Sequence, residues 1–135
     1  MSRHLRSPVA LGGNEICIPE RALLELGDEE QQAMLAHELA HLARRDPAWL
    51  LAAHSIERAL FLQPFNRFLR RRMQREAEVL SDAWAVERTG KPFVFARCMM
   101  EVARWTAARP ERAFGVAMAR EQSFLVERVE RVLAE

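Results

Sequence analysis

Cysteine, glycine and proline are all scarce in this sequence of 135 residues, at two, five and six copies. Cys17 and Cys98 are too few for a four-cysteine metal site or a disulfide framework. They read as buried thiols in a reducing compartment. Lysine is almost missing, Lys91 being the only one among 20 basic residues, a bias that reads as codon usage and carries no function. Charge of one sign is not in excess, with 20 basic residues against 19 acidic. That balance excludes a global pull toward nucleic acid or membrane. Residues 1–6 are polar and no apolar stretch follows at once, so no secretory signal is expected. The longest apolar segment, residues 49–65, contains His54, Glu57 and Arg58. A spanning helix needs about 20 mostly apolar residues, so this segment is not one as it stands, and a soluble, cytoplasmic domain is expected.

Half of the chain is hydrophobic, which suits one folded domain. Two short apolar runs, 8–11 and 15–18, flank Gly12-Gly13-Asn14 and predict a β-hairpin. From Pro19 onward the pattern is helical. Helices are predicted over 21–26, 28–45, 48–62, 66–89, 92–108 and 121–134. Asp28 is read as the cap of the second, with Gln31 as its capping-box partner, and Gly90 closes the fourth.

On the second predicted helix stands His37-Glu38-Leu39-Ala40-His41, an HExxH motif. One helical turn separates the two histidines, so both imidazoles project from one face and suit a single zinc ion. Glu38 lies beside that face, where its carboxylate reaches a water on the metal without ligating and can shuttle its proton to a leaving amine. A catalytic zinc takes three protein ligands and keeps a fourth position open. Residues 42–47 lack the glycine and third histidine of the metzincin extension. His54 is one candidate third ligand, on a different predicted helix. A downstream carboxylate is the other: Glu78 and Asp82 are four apart on one helix face, Glu78 to bind the metal and Asp82 to hold a ligating imidazole. Glu76 competes, but four residues beyond it stands Leu80.

Residues 7–12 (SPVALG), 18–20 (IPE), 36–46 (AHELAHLARRD) and 75–86 (REAEVLSDAWAV) resemble the BlaR/MecR-type membrane metallopeptidases. These are gluzincins, kin to membrane proteases that remove prenylated tails or clear damaged membrane proteins. Further likeness comes from 89–92 leading into Ala96-Arg97 and from the closing 125–133, so the resemblance covers nearly the whole chain. It implies one α+β, mostly α, gluzincin-like zinc metallopeptidase domain over 1–135, with a hairpin at about 7–18, the HExxH helix at about 29–45 and a glutamate helix at about 66–89. It implies His37, His41 and Glu78 as ligands of one zinc ion per chain, Glu38 as general base, and Asp82 as support behind a ligand. It also implies an edge strand, Val9, Ala10, Leu11 and Gly12, where an extended protein or peptide substrate pairs antiparallel. The activity implied is zinc-dependent endopeptidase cleavage, in the form of limited regulatory proteolysis in signalling.

Members of that family usually carry several transmembrane helices, one of them where residues 49–65 lie here. The chain therefore reads either as the catalytic part of a membrane-anchored parent at the inner membrane or as a small soluble relative. The stabiliser of the transition state is left open among Arg120, Gln122 and Arg128. Two other readings stand beside the enzyme: a zinc-stabilised signalling module that binds a partner with little turnover, and a latent protease whose helix 121–134 covers the cleft. The basic cluster Arg67, Arg70, Arg71, Arg72 and Arg75 is read as a solvated helix face, with no nucleic acid partner expected. Trp49, Trp84, Trp105, Phe61, Phe65, Phe68, Phe93 and Phe95, with Met99-Met100, are read as core.

Overall fold

The computed structural model of the chain describes residues 9–11, 15–61, 63–107 and 115–134. Two strands come first, β1 (Val9–Leu11) and β2 (Glu15–Cys17), paired antiparallel with Val9 opposite Cys17 and Leu11 opposite Glu15. Six helices follow among the described residues: α1 (Glu20–Glu25), α2 (Asp28–Ala43), α3 (Asp46–Ala59), α4 (Pro64–Thr89), α5 (Pro92–Ala107) and α6 (Gly115–Ala134). The fold is thus mostly α with a small hairpin, as the sequence predicts.

Prolines mark the helix starts. Pro19 caps α1, Pro47 lies in the first turn of α3, and Pro64 and Pro92 open α4 and α5. In a first turn the missing N–H has no intrahelical partner to lose, and the fixed φ is already helical. Asp46-Pro47 therefore begins α3, earlier than residue 48. The start of α2 also differs from expectation. Gly27, extended at φ −68° and ψ 163°, is the N-cap, and its N–H donates to the Glu30 carboxylate at 2.9 Å. Asp28 is instead the first helical residue, and the Gln31 amide donates to the Leu26 carbonyl at 2.9 Å. Asp28, Glu29 and Glu30 place negative charge on the positive end of the helix.

Helix α2 is the element on which the others meet. It packs on α4 and α5 and touches α3 and β1. One core cluster joins Ala33 and Ala36 of α2 to Ala85 and Val86 of α4, Phe95, Ala96 and Met99 of α5, and Val132 of α6. A second joins Ala22 and Leu26 to Met34, Cys98 and Trp105, with Ile18 and Val102 packed against it. Alanines on α2 and α4 let the two backbones approach, which brings side chains on their facing sides within reach of one another.

The aromatic residues divide. Phe95 and Trp105 are buried and Trp84 packs on the first cluster. Trp49, Phe61, Phe65, Phe68, Phe93 and Met100 are exposed, contrary to their reading as core. Trp49, Phe61, Phe65 and Phe68 belong to the helical hairpin of α3 and the first half of α4, which contributes no residue to either core cluster, and Phe93 and Met100 stand on the exposed side of α5. No helix among the described residues is long and apolar enough to cross a membrane.

Candidate metal centre

Helical spacing puts His37 and His41 on the same side of α2, one turn apart. Their rings stand edge to face with centroids 4.8 Å apart, and the two Nε2 atoms approach to 3.1 Å. Helix α4 crosses α2 at this level and supplies Glu78. Its Oε2 lies 3.6 Å from His37 Nε2 and its Oε1 lies 3.8 Å from His41 Nε2. The three potential ligand atoms all fall within 4.8 Å of one another. Ligands about 2.0–2.1 Å from a tetrahedral zinc ion would lie about 3.3 Å from each other, so the donor set and its spacing fit such an ion.

Each imidazole is braced from behind. His37 Nδ1 is 3.0 Å from Asp82 Oδ1, an ion-pair contact that falls short of a well-aligned hydrogen bond. His41 Nδ1 is 2.8 Å from Asp46 Oδ2 and 3.2 Å from the Ser81 hydroxyl. Carboxylates on both Nδ1 atoms turn the two Nε2 lone pairs toward one another. Two lone pairs at 3.1 Å repel unless a proton or a cation lies between them, so the arrangement itself calls for a positive charge at that point.

Asp46 is held in turn by Arg44, whose Nη2 pairs with its carboxylate and also donates to the Ala77 carbonyl and Ser81 Oγ, each at 2.8 Å. One guanidinium thereby ties the end of α2 to the start of α3 and to the middle of α4. From α6, Arg128 grips Asp82 with two bonds, Nε to Oδ2 at 2.6 Å and Nη2 to Oδ1 at 2.7 Å. Its Nη1 lies 2.9 Å from Glu78 Oε2. Burial works against the imidazolium of His37, but Asp82 and then Glu78 outweigh it and carry the pKa up to about 9. Burial alone would raise the Glu78 carboxyl. Its contacts with His37, Arg128 and His41 hold it down to about 2 instead.

These groups lie at one side of a cleft of about 630 Å³. Glu38, buried, lines the same cleft directly after His37 in the chain. Met34, Leu50, Phe95, Val102 and Leu125 give it apolar walls. The structure thus brings His37, Glu38, His41, Glu78 and Asp82 together. His54 stays apart, half exposed and 4.0 Å from Glu57, and Glu76 is exposed beside Arg72. Of the three residues left open as stabilisers, Arg128 lines the cleft, whereas Arg120 and Gln122 are exposed outside its lining. Val9, Ala10 and Leu11 form β1; Gly12 lies outside the described residues.

Sequence reasoning passed over Asp46, Arg44 and Ser81. Asp46 stands five residues past His41, which helical periodicity would carry to another face. Only the left-handed turn at Arg45 (φ 57°) swings it back onto His41. Its place inside the HExxH-containing segment 36–46 was the one available signal.

Two histidines and a glutamate on crossed helices, braced by aspartates beside an acidic residue in a cleft, have the donor set of a metallohydrolase. The chain's family agrees with that class. Residues 1–132 match the family model of the BlaR1 peptidase M56, and the chain belongs to that family of peptidases. No curated protein matches the sequence. No solved structure matches it either.

Proposed function

We propose that this chain is a zinc-dependent metalloendopeptidase of the gluzincin type, one zinc ion per chain, performing limited regulatory proteolysis of a protein or peptide substrate. The observation that carries the reading is the convergence of His37 Nε2, His41 Nε2 and a Glu78 oxygen, with a carboxylate behind each imidazole. Zinc bound there would supply a Lewis acid that acidifies water and polarises the scissile carbonyl. Glu38 serves as general base: its carboxylate takes a proton from the attacking water and hands it to the departing amine nitrogen. Asp82 and Asp46 keep the proton of each ring on Nδ1, leaving Nε2 as the donor. The segment Val9, Ala10, Leu11 and Gly12, of which the first three form β1, is where an extended substrate would pair, through backbone N–H and C=O groups. Met34, Phe95 and Val102 offer an apolar side chain a place in the cleft. The setting that fits is the cytoplasmic side of a membrane-anchored parent.

Helix α6 reads as a wall of the site rather than a removable cover, because Val132 belongs to the core and Arg128 grips Asp82. Metal analysis of the chain purified without added metal, together with digestion of a peptide library, tests the reading. Wild type should carry about one zinc, largely lost in Glu78→Ala. Glu38→Gln should keep zinc and lose about 10²- to 10⁴-fold in cleavage rate. Equal zinc in wild type and Glu78→Ala would reject Glu78 as ligand. Unchanged behaviour of Glu38→Gln would leave the partner-binding module in place of the enzyme.

A further inference from the structure

The two carboxylate oxygens of Glu78 have different neighbours. Oε1 makes the closest approach to His41 Nε2, at 3.8 Å. Oε2 lies 3.6 Å from His37 Nε2 and only 2.9 Å from Arg128 Nη1. One oxygen therefore already carries a cation supplied by the protein.

Arg128 is not free to leave that oxygen. Its Nε and Nη2 are taken by the two oxygens of Asp82, at 2.6 and 2.7 Å, which fixes the plane of the guanidinium. Asp82 follows Glu78 by one turn of α4, so the remaining arm of the fork, Nη1, falls on Glu78. The ring centroid of Phe124 lies 5.8 Å from the guanidinium carbon. On α6 itself, Leu125, Val129 and Val132 belong with the first core cluster, on either side of Arg128 in the chain. The Arg128 side chain is only 15 % exposed, so water screens its charge little.

We propose that Arg128 is a positioning residue for the metal: by holding Oε2 it leaves Oε1 as the one Glu78 oxygen that ligates, and so keeps a fourth coordination position open. The inference rests on the reading of His37, His41 and Glu78 as the ligands. A carboxylate with both oxygens free can turn both onto a metal ion and fill the place that a catalytic site keeps for water. A guanidinium on one oxygen prevents this, because a second cation at that oxygen would meet its charge. The geometry also says why the residue is an arginine. A lysine ammonium is a single point of charge and cannot span Asp82 and Glu78 together, whereas the planar fork reaches both.

The test is titration of Co²⁺ into the metal-free full chain, followed by visible absorption, because tetrahedral cobalt absorbs far more strongly than cobalt of higher coordination. Wild type should bind about one equivalent and show the strong tetrahedral band. Arg128→Met and Arg128→Lys should still bind about one equivalent, but lose about half of the band or more as the second oxygen joins the metal. Far-UV circular dichroism checks the fold of each. Arg128→Met leaves buried Asp82 without its partner, and Arg128→Lys keeps a positive charge there should the first variant fail to fold. Val129→Ala loosens α6 against the core without touching Glu78 and should keep the wild-type band. A wild-type band in the folded Arg128 variants overturns the proposal, as does a weak band in wild type. A loss in Val129→Ala equal to that in the Arg128 variants overturns it in favour of a merely structural role. Folded Arg128 variants that bind no cobalt overturn it as well, making Arg128 a support of the whole ligand set. Wild type that binds no cobalt rejects the metal centre itself, and this proposal with it.

Discussion

Each imidazole of the pair leans on its own carboxylate, and the two carboxylates come from different parts of the chain. Asp46 Oδ2 sits 2.8 Å from His41 Nδ1 and is itself held by Arg44. Removing a carboxylate behind a ligating histidine lowers metal affinity by about 10- to 100-fold, and Asp46→Ala should do so in competition with a chromophoric chelator. Unchanged affinity would remove Asp46 from the site. Protons should compete with metal here. In the metal-free chain the folded-state pKa of His37, about 9, lies above its ordinary 6.5. That ion pair therefore contributes stability fully below pH 6.5 and loses it as pH rises through about 9. Glu78, about 2 against an ordinary 4.5, contributes above pH 4.5 and loses its share as pH falls through about 2. Calorimetry of the metal-free chain should show its highest melting temperature between about pH 4.5 and 6.5. Metal binding requires His37 without its second proton. The melting-temperature gain on adding zinc should therefore grow from pH 6 to pH 9, and a constant gain would contradict the ion pair.

Two left-handed residues set the directions of the helices that build the site. Gly90, at φ 64°, ends α4 and turns the chain into α5. Nothing lies within 4 Å of where its Cβ would be, so Gly90→Ala would meet only backbone strain. It should cost about 1 kcal/mol in urea unfolding, and no loss would mean the turn relaxes freely. This stop was legible because glycine before Lys91-Pro92 admits few alternatives. Arg45 was not legible, since an arginine in the left-handed region carries no sequence signature, and with it went the position of Asp46. The misplaced cap of α2 has a similar origin. Gly27 and Asp28 are both acceptable N-caps, and which one is extended depends on Glu30 folding back to the Gly27 N–H rather than on either residue type.

Across the whole molecule, α5 and α6 close the cleft that α2 and α4 begin. Cys98, 2 % exposed at the centre of α5, shows how tightly this is packed. Burial, then the charge of Glu30, pushes its thiol up to about 12. Alkylation of the native chain at pH 8 should modify Cys98 only as fast as the molecule opens, with the half-buried Cys17 ahead of it by mass spectrometry. Equal fast labelling of both would mean that α5 is not seated. Shortening Val132, buried in the core from α6, to alanine should cost about 2 kcal/mol in the same urea unfolding. A negligible cost would detach α6 from the core. The sequence by itself determined what periodicity governs: His37 and His41 one turn apart, Glu78 and Asp82 one turn apart, and Glu38 next to the first histidine. Helical geometry fixes which residues share a face whatever surrounds them. Only the tertiary structure decided what each face meets. It joined Arg44, Asp46, Ser81 and Arg128 to the site from three separate stretches of chain. It also left Trp49, Phe61, Phe65 and Phe68 in the open, because an apolar stripe is buried only where another element arrives to cover it.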